Sequence, residues 1–277
     1  MFYDRKPACL SALLADCPEK RKENARFPLE VYTLGRFELV REGNPVQFSG
    51  KSPQKPLSML KAIINFGKKE VSGVHIIEAL WPEADGDVAH ISFDTTLHRL
   101  RRLLGSNQVI QLKDGRVALN TRYCWTDVWA FEDTADRLES LCIMQPAAEA
   151  IQRLRQTLAE IFGLYKGHYL QDELSCWAIS FRERMRLRFI LCVVKAGLYL
   201  KKAGAWECAV ECFQRGLDRD PTAEEFYQQL MLCYQKMGQE NRAIAIYDLC
   251  RNTLSTAMGL APSTRTEDIY LSLRTKR

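Results

Sequence analysis

Between Asp87 and Gly105 the chain reads DVAHISFDTTLHRLRRLLG, and Phe93, Leu97, Leu100 and Leu104 recur at spacings of four, three and four. On a helix of 3.6 residues per turn these four fall in one narrow apolar stripe, which has to be buried. The opposite side of the wheel holds Thr95, His98, Arg99 and Arg102, with Arg101 on the flank and Asp94 as the one carboxylate, at its start. Upstream, from Leu29, the period is two. Leu29, Val31, Leu34, Phe37, Leu39, Val46 and Phe48 are interrupted by Gly35 and by Glu42-Gly43-Asn44-Pro45, which predicts a small antiparallel meander. A first helix is expected from Pro56, with Leu57, Leu60, Ile63 and Ile64 as its apolar face and Gly67 as its end. A second opens at Ser72 as N-cap and runs through Ile76, Ile77 and Leu80 to Trp81, where Pro82 follows. Glu83 to Asp87 is an acidic loop. After Gly105 the alternation returns in Val109, Ile110 and Leu112, then in Val117 and Leu119, and the Asp114-Gly115 pair between them predicts a two-residue hairpin turn. Lys113 and Arg116 flank that turn.

Meander, three helices and hairpin make a winged helix-turn-helix over residues 27–124. Its third helix packs by one face and offers hydroxyl, imidazole and guanidinium groups on the other, a composition suited to a DNA major groove. The bland alternative is an amphipathic helix with a solvated basic face.

Residues 125–277 read as all-α. At an offset of 34, Val193 meets Tyr227, Leu200 meets Tyr234, Gly204 meets Gly238, Ala209 meets Ala243 and Phe213 meets Tyr247. This is the period and residue logic of tetratricopeptide repeats, with small residues where helices cross and aromatics where repeats stack. Pro221 closes the first repeat, and Ile151, Leu154, Leu158 and Ile161 mark a further helix. The fold class expected is therefore an α+β winged helix-turn-helix domain followed by an all-α tetratricopeptide-like helical repeat domain. Arg182, Arg184, Arg186 and Arg188 form a basic run, read as a solvated helix with ion pairs, or alternatively as a contact to DNA phosphate.

Composition agrees with a folded two-domain chain: 277 residues, 47% apolar and 26% charged. No apolar run approaches the ~20 residues that span a bilayer, and the first residues are too charged for a signal peptide, so a cytoplasmic location without membrane contact is expected. The net charge of +5 is divided as +2 in residues 1–26, +3 in 27–124 and 0 in 125–277. The excess lies in the N-terminal part, which fits a nucleic-acid module followed by an electrically neutral partner. Residues 1–26 read as an arm or short helix leading into a linker.

Candidate chemistry changes this little. Ten cysteines in so long a chain, several inside helical apolar patterns as Cys192, Cys233 and Cys250 are, read as reduced core thiols. Cys208 and Cys212 share a helical face, but there is no CxxC pair and no His nearby, so no metal or other cofactor is expected. GNPVQFSGKS, from Gly43 to Ser52, ends like a phosphate-binding loop, yet six residues separate its glycines where that motif needs four. No GxSxG, HExxH or paired-carboxylate arrangement is present. Of the four His, His98 lies on the outward face of the third helix, while His75, His90 and His168 read as surface or turn residues. An enzyme is not expected.

Taken together, LEVYTLGRFELVREGNPVQF, the helix pair ending in EALWPE, and LHRLRRLLG with its hairpin resemble the OmpR-type DNA-binding domain of SARP-class bacterial transcriptional activators. TDVWAFED, LYKGHYLQDE, SFRERMRLR and MGLAPSTRTEDIYLSL are similar to the bacterial transcriptional activation domain of the same class. The resemblance covers roughly residues 27 to 275. It implies that Thr95 and Arg99 contact bases, and that Thr96, His98, Arg101 and Arg102 contact mainly phosphates. It places Lys113 and Arg116 on backbone or minor groove, with Lys51 and Lys55 as further phosphate contacts or plain solvated residues. The loop residues Glu83, Asp85 and Asp87 would face RNA polymerase, through its sigma factor or alpha subunit, unless Asp87 serves only to cap the third helix. The double-stranded DNA implied carries tandem direct repeats in a promoter, and the helical repeats would serve self-association, polymerase or an effector. Two other classes stay open: a repeat-based interaction or effector-sensing protein, and the DNA-binding output part of a longer signalling regulator.

Overall fold

The computed structural model describes residues 27–47 and 53–275. The expected arm of residues 1–26, Phe48 and Lys51 lie outside them. The described residues form two compact units, one of residues up to 131 together with 168–185, the other of 132–167 together with 186 onward.

In the first unit, β1 (Leu29–Tyr32) and β2 (Glu38–Arg41) pair antiparallel with Leu29 opposite Arg41, and β3 (Asn44–Pro45) follows at the edge. Glu42 and Gly43 turn that hairpin at φ 51° and 81°. Both values are left-handed, as a two-residue turn matched to strand twist requires. The meander is completed by a strand the alternation did not reveal. β7 (Cys124–Thr126) lies parallel to β1, giving the sheet order β3-β2-β1-β7.

Helices α1 (Gln54–Phe66), α2 (Gly73–Leu80) and α3 (Gly86–Leu104) follow β3 along the chain. α1 starts two residues ahead of Pro56, which sits in the first turn where no backbone N–H is needed. Ser72 is the N-cap of α2 by position but makes no side-chain cap bond. With Val71 it instead forms β4, in a three-stranded sheet ordered β4-β6-β5 with β5 (Ile110–Lys113) and β6 (Arg116–Leu119). Asp114 and Gly115 adopt φ 50° and 72° at the expected hairpin turn. Met59, Leu60, Ile63, Ile64, Ile76, Leu100, Ile110 and Val117 are wholly buried.

The end of β1 is fastened by a residue that the periodicity did not single out. The Asp127 carboxylate accepts the backbone N–H groups of Thr33, Leu34 and Val128 at 2.8 Å and the Thr33 hydroxyl at 2.7 Å. Burial nevertheless pushes its carboxyl up to about 6, against the pull of those donors. Residues 168–185 join the same unit. The Leu170 N–H donates to the Thr33 carbonyl at 2.9 Å, Gly35 N–H to the His168 carbonyl at 3.0 Å, and Tyr169 bridges Leu34.

The second unit is helical. It draws on α5 (Ala148–Leu164), α7 (Trp206–Arg219), α8 (Glu224–Lys236), α9 (Glu240–Met258) and α10 (Thr264–Arg274), and on parts of α4 (Asp127–Ile143) and α6 (Cys176–Lys202). The 34-residue offset holds in three dimensions. Gly204 and Gly238 occupy equivalent turns at φ 75° and 71°, Ala209 and Ala243 are fully buried, and Phe213 and Tyr247 are buried in successive repeats. Gly197 admits the Phe213 ring where a Cβ would stand 2.1 Å from it. Asp220 and Pro221 follow α7, Tyr165 stacks on Phe189 with centroids 4.1 Å apart, and Tyr247 stacks on Tyr270 at 3.9 Å. Cys192, Cys233 and Cys250 are buried free thiols. The architecture is a winged helix-turn-helix of α+β class followed by an all-α tetratricopeptide-like repeat domain. No described helix is long and apolar enough to cross a membrane.

The arginine run is committed to structure residue by residue. Arg182 donates to the carbonyls of Tyr169, Leu170 and Glu173, and Arg184 lies 4.4 Å over the Phe181 ring. Arg186 pairs with the buried Asp220 at 2.7 Å, and Arg188 pairs with Asp136.

Candidate nucleic-acid interface

Helix α3 packs by one side only. Ala89, Phe93, Leu97, Leu100 and Leu104 are buried, while Thr95, His98, Arg99 and Arg102 are exposed. The helix begins at Gly86, one residue earlier than expected, so Asp85 holds the N-cap position, without a side-chain cap bond, and Asp87 lies in the first turn. Gly105 closes it in the left-handed conformation at φ 77°. Arg101 and Arg102 stand in the last turn, where the helix dipole favours cations.

Thr95, His98, Arg99 and Arg102 share the outward face. Lys113 and Arg116 stand opposite each other across the hairpin at its exposed tip. Among the described residues, no carboxylate pairs with Arg99, Arg102, Lys113 or Arg116. The tip is held against α2 by the Gly73 N–H, which donates to the Gly115 carbonyl at 2.8 Å. That approach needs glycine at 73, since a Cβ there would lie 2.9 Å from the same oxygen. Glu83, Asp85 and Asp87 are exposed together on the loop before α3 and in its first turn.

Three of the expected phosphate contacts have another task. Thr96 is only 6% exposed. It lies a hundred degrees round the helix from Thr95, which turns it to the packed side. Arg101 is half-buried and donates to the Ile110 carbonyl from Nε at 3.3 Å and Nη2 at 3.0 Å. Lys55 donates from Nζ to the Leu80 carbonyl at 2.8 Å and stands 5.4 Å from the Trp81 ring, so it satisfies the carbonyl end of α2. Lys51 lies outside the described residues.

The structure also forms a surface that sequence reasoning missed. Pro53, Gln54 and Lys55 at the start of α1 line a cleft of about 540 Å³ with Arg99, Arg102 and Leu103 of α3. Among the described residues the N-terminus of α1 has neither a side-chain cap nor an acidic residue in its first turn. Its free N–H groups therefore add partial positive charge to that of the two guanidiniums. The missing acidic cap was the one sequence signal for this cleft.

A family model described as bacterial transcriptional activator domain matches residues 126–274, more than half of the chain. The regulatory protein AfsR of Streptomyces griseus is 25% identical over 215 residues, covering 77% of this chain and 21% of AfsR. The chain thus spans about a fifth of that relative's length. Among solved structures, Mycobacterium tuberculosis EmbR, in complex with a low affinity phosphopeptide, matches with a TM-score of 0.65 at 18% identity, over 91% of this chain and 66% of EmbR. That last likeness is one of fold. With the family model spanning α4 to α10 behind a winged helix-turn-helix, the chain belongs to the bacterial transcriptional activator domain family.

Proposed function

We propose that the protein activates transcription by binding double-stranded DNA sequence-specifically, with α3 in the major groove. In this reading residues 27–124 are the DNA-binding module and 125–277 the activation part. Thr95 and Arg99 meet base edges, the methyl of Thr95 against a thymine and the guanidinium of Arg99 against a guanine. His98 and Arg102 hold phosphates, and Lys113 and Arg116 grip the adjacent backbone or minor groove. The observation that carries this reading is the pair Arg99 and Arg102, exposed and without a carboxylate partner among the described residues, on a helix buried along its other side. Side-by-side protomers on direct repeats fit a module of this kind. Glu83, Asp85 and Asp87 supply the acidic surface for RNA polymerase, and the helical repeats a surface for self-association or an effector.

Selection of bound fragments from genomic DNA, followed by affinity against salt, tests the reading. A repeated motif should emerge, with affinity falling steeply with salt. Arg99→Ala should cost about 1–3 kcal/mol on the selected site and relax one base pair, while Lys113→Ala weakens all sequences alike. Undiminished discrimination in Arg99→Ala overturns the base assignment. Absence of enrichment, with affinity near ~10⁻⁴–10⁻⁶ M, overturns DNA reading altogether. For the polymerase contact, Asp85→Asn with Asp87→Asn should keep DNA affinity and lose activated transcription in vitro.

A second reading makes the chain the DNA-binding output of a longer signalling regulator. It is favoured by the 21% share of AfsR that the match covers, and the length of the native reading frame decides it.

A further inference from the structure

The outward side of α3 changes character along its length. Its second half carries His98, Arg99 and Arg102. Ile91 and Val88 precede them, 67% and 56% exposed, with the exposed Asp94 one turn beyond Ile91. Ile91 stands four residues before Thr95 and eleven before Arg102, so all three lie near one line, with Ile91 and Arg102 about 16 Å apart along the axis. The packing side is already filled by Phe93, Leu97 and Leu100. Core packing therefore gives no reason for two aliphatic side chains in water on the other side.

None of Val88, Ile91 and Asp94 can hold a phosphate, since two have no donor and the third is an anion. Against base edges in the major groove each has a match. An aliphatic side chain fits the 5-methyl group of thymine, and a carboxylate accepts from the 4-amino group of cytosine. On a helix laid in the groove, residues one turn apart are separated by about 5.4 Å, one to two base-pair steps.

Resting on the DNA reading proposed above, we infer that Ile91 determines specificity by packing on a thymine methyl group one or two base pairs from the pair met by Thr95. From Ile91 onward α3 then enters the groove and reads by apolar contact, as Arg99 reads by hydrogen bonds. Asp94 closes that end of the helix to phosphate.

The test uses the whole chain and a duplex bearing the site it selects, with each thymine replaced in turn by deoxyuridine, which removes only the methyl group. At one thymine near the Thr95 position the wild type should lose about fourfold in affinity, equivalent to about 0.8 kcal/mol for one buried methyl-sized group. Ile91→Ser should lose a similar factor on the thymine duplex and nothing further on the deoxyuridine one, whereas Ile91→Val should keep part of the response. Because Ile91 is exposed, its variants should melt with the wild type. A deoxyuridine penalty equal in wild type and Ile91→Ser at every responsive thymine, as the thymine met by Thr95 alone would give, or no responsive thymine in the wild type, overturns the inference while Arg99-dependent discrimination stands. A wild-type chain that enriches no sequence overturns this inference and the DNA reading together.

Discussion

Arg101 of α3 donates from Nη2 to the backbone carbonyl of Ile110 at 3.0 Å, so the last turns of the helix are tied to the first strand of the hairpin. The neighbouring Arg102 is exposed and makes no such bond. Two adjacent arginines thus do different work. One ties the helix to the wing, and the other has no bonded partner among the described residues. Arg101→Ala should lower stability by about 1.5–3 kcal/mol, the usual worth of a hydrogen bond from a charged group. It should weaken DNA binding without changing the dependence on salt. Arg102→Ala should leave the melting temperature alone and reduce the salt slope by about 1. Measuring both quantities for both variants checks the division. A reduced slope with an unchanged melting temperature in Arg101→Ala would return that residue to the phosphate contacts.

Asp127 should make the stability of its unit depend on pH in an unusual sense. Its folded carboxyl stands at about 6 against an ordinary 3.8, because burial outweighs the donors around it. Between those values the folded state holds a proton that the unfolded chain releases. The contribution is thus fully present below 3.8 and lost as pH rises through 6, to a ceiling of about 3 kcal/mol. Asp127→Asn should cost about 1–3 kcal/mol by turning an amide donor toward backbone N–H groups. The stability difference between wild type and variant should widen as pH falls from 7 toward 4. Denaturant unfolding at several pH values measures this, and parallel profiles for the two proteins would refute it.

The repeat unit depends on one close approach. Gly197→Ala sets a Cβ 2.1 Å from the Phe213 ring, and displacing a buried ring should cost about 1–3 kcal/mol. Gly163, near the end of α5, has nothing within 4 Å of a Cβ, so Gly163→Ala should be stabilising by about 0.5–1 kcal/mol. Thermal melts of the two variants should move in opposite directions.

Arg155 on α5 is 4% exposed, and among the described residues its Nε and Nη2 have no hydrogen-bond partner. A buried guanidinium in that state is a liability that cannot be relieved by losing a proton. Arg155→Met, which keeps most of the volume, should raise stability by about 1–3 kcal/mol. A lower melting temperature in Arg155→Met would show that the charge is needed where it stands.

Patterns confined to a few turns of chain were readable from the residues alone. The stripe Phe93, Leu97, Leu100 and Leu104 named the buried side of α3, Asp114-Gly115 named the wing turn, and the repeat at 34 paired Gly204 with Gly238. Each signal is periodic, and periodicity is a property of neighbours along the chain. What each polar side chain does depended on groups brought near only by folding. The family resemblance counted Thr96 and Arg101 among the phosphate contacts, yet helical phase buries one and the Ile110 carbonyl takes the other. Lys55 had no visible partner until Leu80 arrived twenty-five positions later. β7, the Asp127 carboxylate and the strand-edge contacts of residues 168–170 escaped detection because their partners on β1 and after it are some ninety to one hundred and forty positions away. A hydrogen bond over such a distance leaves no period in the sequence. Only the folded chain sets which donors and acceptors meet, and therefore which cations of α3 have no partner among the described residues.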